Sequence, residues 1–386
     1  MEERTRAYLR GRFGDHYRRV EFSPPPDANE REWGYVPWTE GPGETMVRHR
    51  SLLDTGSLGD FLPRERPKHV YFSAGRYERP GASTMSEKTW QSSDLVFDLD
   101  ADHLPSVVLG EDSYAEMLEK CKGALFRLLD FLENDFGFED LTVVFSGGRG
   151  YHVHVRDDAV LDLESDARRE IVDYVRGIGL GPELLETTAM RGGVTQRVLR
   201  TEGGWGKRVH ERLLDYADEL AAMDEDDARE RLQELEGIGE GRANTVYGAI
   251  SENRAALESG NLELGGVGLR TLVDAFVHEV VADQNAPIDE PVTTDTNRLI
   301  RLPGSLHGGS GLEVQRIDRD AIEEFDPLLD AVPETFVGHE ITVEVTDPGP
   351  VELRGDRFNP EAGECSVPEY LGVFLMARGR AEKGPE

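Results

Sequence analysis

Two carboxylates stand at the end of an otherwise apolar stretch, LVFDLD at residues 95–100. The apolar run predicts a buried strand, and because side chains alternate along a strand, Asp98 and Asp100 are expected to share one face. At the usual rise per residue they lie about 7 Å apart, so their charges repel unless a cation lies between them. Carboxylate oxygens suit Mg²⁺ or Mn²⁺, which favours a metal site, with a solvated turn as the alternative.

A glycine-rich turn carries the second chemical group. Residues 146–152 read SGGRGYH and join two strand-like runs, 141–145 and 151–155, in a predicted β-hairpin. The glycines let the backbone approach a ligand closely, while Ser146, Arg149 and His152 offer hydroxyl, guanidinium and imidazole groups suited to a triphosphate. This is not a Walker loop, because the G-K-[ST] and the following helix are missing. His154 shares a face with His152 and is either a ligand contact or structural.

A third group combines Asp289 with the segment RLIRLPGSLH at residues 298–307, which contains Arg301 and His307. Three carboxylates for metal and several cations for phosphates fit two-metal nucleotidyl transfer, in which the ions activate a 3′-hydroxyl and clamp the phosphates. Phosphoester hydrolysis of the haloacid dehalogenase kind is the competing interpretation. It is disfavoured because such sites follow an N-terminal strand and need Thr or Val where this chain has Asp102.

The amino-acid composition indicates which class of protein carries these three chemical groups. The 386 residues carry 76 acids against 43 basic residues, a net charge of -33, and only six of the basic residues are lysines. Such a balance indicates a protein that works in high salt, where the Debye length falls to about 3 Å. The two cysteines indicate neither a disulfide framework nor a zinc cluster. With no apolar signal segment and no membrane-spanning run, a soluble cytoplasmic protein is expected.

The predicted elements form a mixed α/β fold. Strand-like segments and an amphipathic helix at 113–135 predict a catalytic domain made of residues 1–160 and 286–386, with a helical subdomain at 161–285 inserted into it. Within the insertion, residues 235–243 resemble a helix-hairpin-helix turn, although an ordinary helix–helix turn is the simpler interpretation. Residues 74–92 and 346–363 are predicted to be connectors, and the C-terminal tail to be a short helix with a frayed end. The helices predicted inside the insertion are 165–176, 206–222, 225–236, 242–258 and 269–283.

The three motifs, taken in order, resemble the signature motifs of the catalytic (small) subunit of the archaeal–eukaryotic DNA primase, here from a halophilic archaeon. The sequence REWG at residues 31–34 resembles an N-terminal element of the same family. The resemblance covers nearly the whole chain. It implies an α+β catalytic domain with a mixed sheet and an RNA-recognition-like core, and it implies an inserted helical subdomain.

The resemblance also implies roles for individual residues. Asp98, Asp100 and Asp289 would be the catalytic, metal-binding triad for Mg²⁺ or Mn²⁺. The implied activity is that of a nucleotidyltransferase making short RNA primers on a single-stranded DNA template from NTPs, with dNTPs as an open alternative. The implied partner is a large primase subunit that carries an iron–sulfur cluster and forms a heterodimer. The residues that map onto nucleotide contacts are Ser146, Arg149, His152, Arg301 and His307.

One departure concerns zinc. Members of this family usually carry a cysteine and histidine cluster soon after the D-x-D strand, but residues 101–125 contain only His103 and Cys121. No structural zinc is therefore predicted, because such sites need four ligands. Two alternative functions stay open at this point: a gap-filling primase–polymerase of the repair type, and a non-catalytic scaffold of the replication machinery.

Overall fold

The computed structural model describes residues 1–40, 43, 45–191 and 193–385. The described chain divides into two compact units. The first comprises Met1–Gly123, Glu139–Arg169 and Pro287–Glu386, and the second comprises Ala124–Phe138 and Glu170–Ala286. The division of the chain into a catalytic domain and an insertion at 161–285 stays a prediction. Among the described residues, no helix has both the length and the apolar character needed to cross a bilayer.

Helices and strands alternate along the chain and confirm the predicted mixed α/β class. Up to residue 175 the order is α1 (Glu3–Tyr17), β1 (Arg31–Val36), β2 (Val47–Arg50), α2 (Leu52–Thr55), α3 (Leu58–Glu65), β3 (His69–Tyr77), α4 (Met85–Lys88), β4 (Trp90–Ser93), β5 (Leu95–Asp100), α5 (Tyr114–Asp130), β6 (Leu141–Phe145), β7 (Gly150–Val155), α6 (Asp158–Leu161) and α7 (Ser165–Val175). The following elements are α8 (Pro182–Leu185), β8 (Glu186–Arg191), β9 (Val194–Leu199), α9 (Gly204–Ala221), α10 (Glu225–Gln233), α11 (Glu240–Glu252), α12 (Arg254–Glu258) and α13 (Gly266–Gln284). The last are α14 (Glu290–Thr294), β10 (Leu299–Arg301), β11 (Gln315–Ile317), α15 (Pro327–Asp330), β12 (Glu340–Val345), β13 (Val351–Leu353), β14 (Asp356–Phe358), β15 (Gly363–Pro368), α16 (Glu369–Ala377) and β16 (Ala381–Lys383).

Two antiparallel sheets dominate the first unit. One has the order β10-β3-β1-β2, with β4 also paired to β3, and the other has the order β11-β6-β7-β5. In the second sheet the register pairs Asp98 with His152 and Asp100 with Gly150. The predicted hairpin and the predicted acidic strand are therefore neighbours in one sheet, and this pairing could not be read from either stretch alone.

A buried ion cluster links the first sheet to the second. Asp94, immediately before β5, is fully buried, and its carboxylate accepts hydrogen bonds from Arg31, Arg76 and Arg156, each at 2.9 Å. Arg31 belongs to β1 and Arg76 to β3, whereas Arg156 follows β7. Arg168 of α7 adds hydrogen bonds to the carbonyl of Asp94 at 2.9 Å and to that of Ser93 at 2.8 Å. One carboxylate thus ties together strands of both sheets.

Helix α5 behaves as its apolar pattern predicts. Cys121 lies on the buried face, where its thiol donates to the carbonyl oxygen of Leu99 at 3.7 Å. A π-helical turn, Phe131–Asp135, follows the helix, and Gly137 ends it with φ of +70°. That left-handed conformation favours glycine, which agrees with the predicted end of the helix.

The second unit is mainly helical but contains a ribbon that the sequence pattern did not reveal. Strands β8 and β9 pair antiparallel through six residue pairs. Helices α10 and α11 flank the predicted helix-hairpin-helix turn, in which Gly237 has φ of +82° and its carbonyl accepts a hydrogen bond from Arg242 at 2.6 Å. Ile238 is buried under the turn. The contacts given for the turn are those of a helix–helix connection.

Three segments are more ordered than predicted. The expected connector at 346–363 contains the hairpin of β13 and β14. The expected connector at 74–92 contains α4, β4 and the end of β3. The prediction of a frayed tail is wrong, because β16 pairs with β12 and the backbone N–H of Lys383 donates to Thr5 at 2.7 Å. Short polar strands such as these depend on pairing with distant segments, so their local sequences do not predict them.

Candidate functional site

Strand β5 presents its two acids on one face, as its alternation predicts. Asp98 and Asp100 are half-buried, whereas Phe97 and Leu99 are fully buried on the other face. The imidazole Nε2 of His152 lies 3.3 Å from Oδ1 of Asp98. Asp100 accepts a hydrogen bond from the backbone N–H of Asp102 at 3.1 Å, which ties the end of the strand to the turn that follows.

The electrostatic environment keeps Asp98 ionised. Burial acts to raise the pKa of Asp98, but His152, Arg301 and Arg298 outweigh it, and the pKa lies below its ordinary value. Positive groups therefore stabilise the carboxylate form, the form that coordinates a divalent cation.

Asp289 lies beside this strand. Its backbone N–H donates to the carbonyl oxygen of Asp98 at 3.0 Å, and α14, which packs against β5, begins at the next residue. The segment enters this short helix with Pro291 in its first turn, where the fixed φ of proline suits a helix start. The three acids thus come from two adjacent backbone segments. Among the described residues, no three His, Cys, Asp or Glu side chains converge closely enough to form a ready-made metal cluster.

The carboxylates nevertheless fit a divalent cation by their donor chemistry. Hard carboxylate oxygens on one strand face, with a third acid on the neighbouring segment, are the ligands that Mg²⁺ and Mn²⁺ prefer. Asp98, Asp100 and Asp289 are the residues that would hold such an ion.

The glycine turn is shaped by contacts that exclude side chains. A Cβ on Gly150 would lie 1.8 Å from the carbonyl oxygen of Leu99, so no larger residue fits there without moving the strand. Gly147 has φ of +74°, and the hydroxyl of Ser146 accepts the backbone N–H of Gly148 at 3.3 Å. Arg149 points the other way and forms an ion pair with Asp102. Ser146 therefore shapes the turn, while Arg149 lies beside the end of β5.

His307 packs directly on this turn. A Cβ on Gly148 would lie 3.2 Å from Nε2 of His307, and the hydroxyl of Ser310 donates to the carbonyl of Gly147. His307 and His69 stack edge to face with ring centroids 4.9 Å apart. Burial, followed by the charge of Arg301, holds the pKa of His307 well below its ordinary value. The ring is therefore neutral at physiological pH and serves as a hydrogen-bonding group.

A cavity of about 400 Å³ opens between the two sheets beside Asp98 and His152. Arg301 lies on its wall, with its guanidinium 5.5 Å from the centre of the Tyr71 ring. The Nε of Arg301 is buried without a hydrogen-bond partner among the described residues. Acids on one side and arginines on the other are what a metal-bound polyphosphate needs.

Several cavity residues escaped sequence analysis, among them Arg48, Tyr71 and Asp295. Arg48 reaches the cavity from β2, and its guanidinium is held by Glu32 at 3.2 Å. The one signal in the sequence was that Arg48 lies in a short strand-like run with His49 and Arg50. Nothing in the sequence indicated that β2 would join the sheet that carries Arg301.

His154 lies away from this cavity. It is buried, its Nδ1 lies 3.7 Å from Asp94, and its ring stacks on Phe72 at 5.9 Å with an interplanar angle of 14°. Of the two roles left open for His154, the structure supports the structural one. His152 and His154 share a strand face but contact different acids.

Comparison with known proteins places these features in a family. Residues 97–318 match the family model described as "DNA primase small subunit". Curated relatives named "DNA primase small subunit PriS" include those of Haloarcula marismortui, 69% identical, Halorubrum lacusprofundi, 63% identical, and Methanothrix thermoacetophila, 42% identical. In each case the alignment covers 100% of both chains. The matched region begins inside β5 and includes every candidate site residue.

Proposed function

The chain belongs to the DNA primase small-subunit family, and on that premise we propose that it synthesises primers on single-stranded DNA by nucleotidyl transfer. The observation that carries the proposal is the hydrogen bond at 3.0 Å between Asp289 and the backbone of Asp98. It supports the proposal because it holds the backbone of Asp289 against that of Asp98, although 191 positions separate the two residues in the sequence. The arginine-lined cavity adjoins the same strand.

We assign a separate role in this transfer to each group of site residues. When bound, Mg²⁺ or Mn²⁺ supplies activation of the 3′-hydroxyl and charge neutralisation of the phosphates. Asp98, Asp100 and Asp289 would hold the ions. His152 orients Asp98, and Arg298 and Arg301 face the space that the phosphates of an incoming nucleotide would occupy. Arg149, Ser146 and His307 would complete the nucleotide site at the glycine turn.

Partners and cofactors form the finer part of the proposal. We propose a heterodimer with a large subunit that carries an iron–sulfur cluster, a single-stranded DNA template, and NTPs or dNTPs as substrates. We also propose that the chain needs no structural zinc, since Cys121 is buried against Leu99 and is engaged there by its thiol. Metal analysis of the purified protein tests this, and one stoichiometric zinc would contradict it.

The test of the acids uses primer synthesis on an unprimed single-stranded template at molar KCl with Mn²⁺, in the presence of the large subunit. Asp98→Asn and Asp100→Asn are each expected to lower the rate by at least about 10³-fold, because metal positioning is lost. Asp158→Asn, which removes an exposed charge in α6, is the matched control and is expected to act like the wild type.

Two results would contradict the assignment. The first is primer synthesis retained in Asp98→Asn with unchanged thermal unfolding. The second is activity confined to gapped duplexes, which would indicate a repair-type primase–polymerase. A protein that incorporates no nucleotide under any of these conditions would fit a replication scaffold instead.

A further inference from the structure

A second cavity, of about 540 Å³, lies behind the catalytic hairpin. Tyr151 lines it, and because Tyr151 and His152 are consecutive on β7, their side chains point to opposite faces of the sheet. Apolar side chains of α5 and of the segment around α15 form its walls, among them Leu118, Phe325 and Leu328. Its volume is typical of pockets that bind small molecules.

The base of this cavity contains an unsatisfied hydroxyl. Tyr151 is 1% exposed, and its ring packs against Phe145 with centroids 5.7 Å apart. Its hydroxyl has no hydrogen-bond partner within the described part of the chain. Buried polar groups are nearly always hydrogen-bonded, since leaving one unpaired is costly. The hydroxyl is therefore positioned for a ligand atom.

The rim of the cavity is strongly acidic. Lys122 offsets only one of these charges, and its ammonium donates to the carbonyl oxygens of Glu323 and Phe325. Arg357 is already paired with Glu352 at 2.6 Å. Burial raises the pKa of the Tyr151 hydroxyl, and the thiol of Cys121 and then the carboxylates of Glu119 and Asp326 add to the effect. The carboxylates that line the cavity are Glu116, Glu119, Glu324, Asp326, Glu352 and Asp356.

We propose that this cavity binds a small aliphatic cation: a guanidinium or primary ammonium group carried on a hydrocarbon stem. The stem would pack on Leu118 and Phe325, while the cationic head would donate to rim carboxylates such as Glu119 and to the Tyr151 oxygen. Phosphates and nucleotides are excluded by the charge of the rim. The inference does not depend on the proposed primer synthesis, since it concerns the opposite face of the sheet.

High salt makes the apolar wall essential to this binding. At molar ionic strength the Debye length is about 3 Å, so exposed carboxylates alone retain a cation poorly. A stem buried against apolar side chains and a hydrogen bond to a buried hydroxyl are insensitive to screening. A cation that lacks a stem should therefore bind much more weakly than one that has it.

The experiment is calorimetric titration of the full-length protein with agmatine, a guanidinium on a four-carbon stem, in 2 M KCl. We expect saturable binding at one site. Tyr151→Phe, which keeps the ring and removes the hydroxyl, and Glu119→Gln on the exposed rim are each expected to weaken binding by about 3- to 10-fold. Glu230→Gln in α10, which removes one exposed charge outside the cavity, is the matched control and should bind like the wild type.

Agmatine also carries a primary ammonium at the far end of its stem, so butylguanidinium, which has the stem and a single charge, is titrated beside it. Methylguanidinium, which has the same single charge but almost no stem, should bind at least about 10-fold more weakly than butylguanidinium. The same chemistry could come from a basic side chain of a polypeptide, so the blocked peptide acetyl-Ala-Arg-Ala-amide is titrated in parallel. Tighter binding of agmatine indicates a free amine as the occupant, and tighter binding of the peptide indicates an arginine side chain. The proposal is overturned if agmatine shows no saturable binding, if Tyr151→Phe and Glu119→Gln both bind it as the wild type does, or if methylguanidinium binds as well as butylguanidinium.

Discussion

Individual side chains in the cavity have clearly different electrostatic roles. His307 is held neutral by burial and by the charge of Arg301, whereas Asp98 is held ionised by His152, Arg301 and Arg298. Arg301 thus affects both groups, because its charge favours the ionised form of Asp98 and the neutral form of His307. Replacing Arg301 would therefore change the pKa of Asp98 and the pKa of His307 together.

Glu313 lies away from this site and gives a pH-dependent signal of its own. Burial raises its pKa from an ordinary value of 4.5 to about 7. The folded state therefore binds more protons than the unfolded state between these values, so Glu313 lowers stability as pH rises from about 4.5 to about 7. Glu313→Gln should remove this loss and stabilise the protein by about 2 kcal/mol at pH 8, with little effect at pH 4.5.

Urea unfolding at fixed molar KCl and at several pH values measures this difference. Glu323→Gln, an exposed replacement on the turn before α15, is the control and should follow the wild type at every pH. A Glu313→Gln variant whose stability runs parallel to the wild type across the whole range would show that Glu313 is not the group responsible.

Among the elements, strand β5 depends on the ion cluster at its start. Asp94 bonds three arginines from β1, β3 and the end of β7, and it precedes Asp98 by only four residues. The position of the strand face that carries Asp98, relative to the first sheet, is therefore set partly by the buried carboxylate of Asp94.

Removal of that carboxylate should be severe. In Asp94→Asn the buried Arg31 loses its counter-charge and Arg76 keeps only its ion pair with Asp27, so we expect a loss of about 3–5 kcal/mol in the free energy of unfolding. Denaturant unfolding at constant KCl measures it, with the exposed Asp158→Asn as the reference, expected within about 0.5 kcal/mol of the wild type. A near-neutral Asp94→Asn would mean that the arginines are satisfied by backbone carbonyls alone.

The elements also show what a sequence can and cannot predict. The strand at 95–100, the hairpin around the glycine turn and the helix of Cys121 were predictable, because alternation, turn residues and helical periodicity are local signals. Arg48 and Asp295 were not, because their proximity to Asp98 arises from pairing and packing between distant segments. The ribbon of β8 and β9 was missed for a related reason: most of its residues are polar, and their strand conformation depends on the pairing.

At the scale of the whole molecule, the excess of acids governs the conditions under which the fold is stable. A net charge of -33 repels itself unless it is screened. We expect the Tm to fall by roughly 10 °C or more between 3 M and 0.1 M KCl as screening weakens. Fluorescence-monitored melting measures it. A Tm independent of KCl would contradict this view.

The pairing of the last strand has a consequence for how the chain is handled. The backbone N–H of Glu2 donates to Glu382 at 2.9 Å, and the amino group of Met1 lies 3.2 Å from the same carboxylate. Beginning and end of the polypeptide therefore meet at one place on the first unit. A brief peptide joining them would close the backbone into a ring without crossing the molecule, and new termini could then be opened in an exposed loop elsewhere. A purification tag on either end of this chain, by contrast, would lie beside the same small patch of the fold.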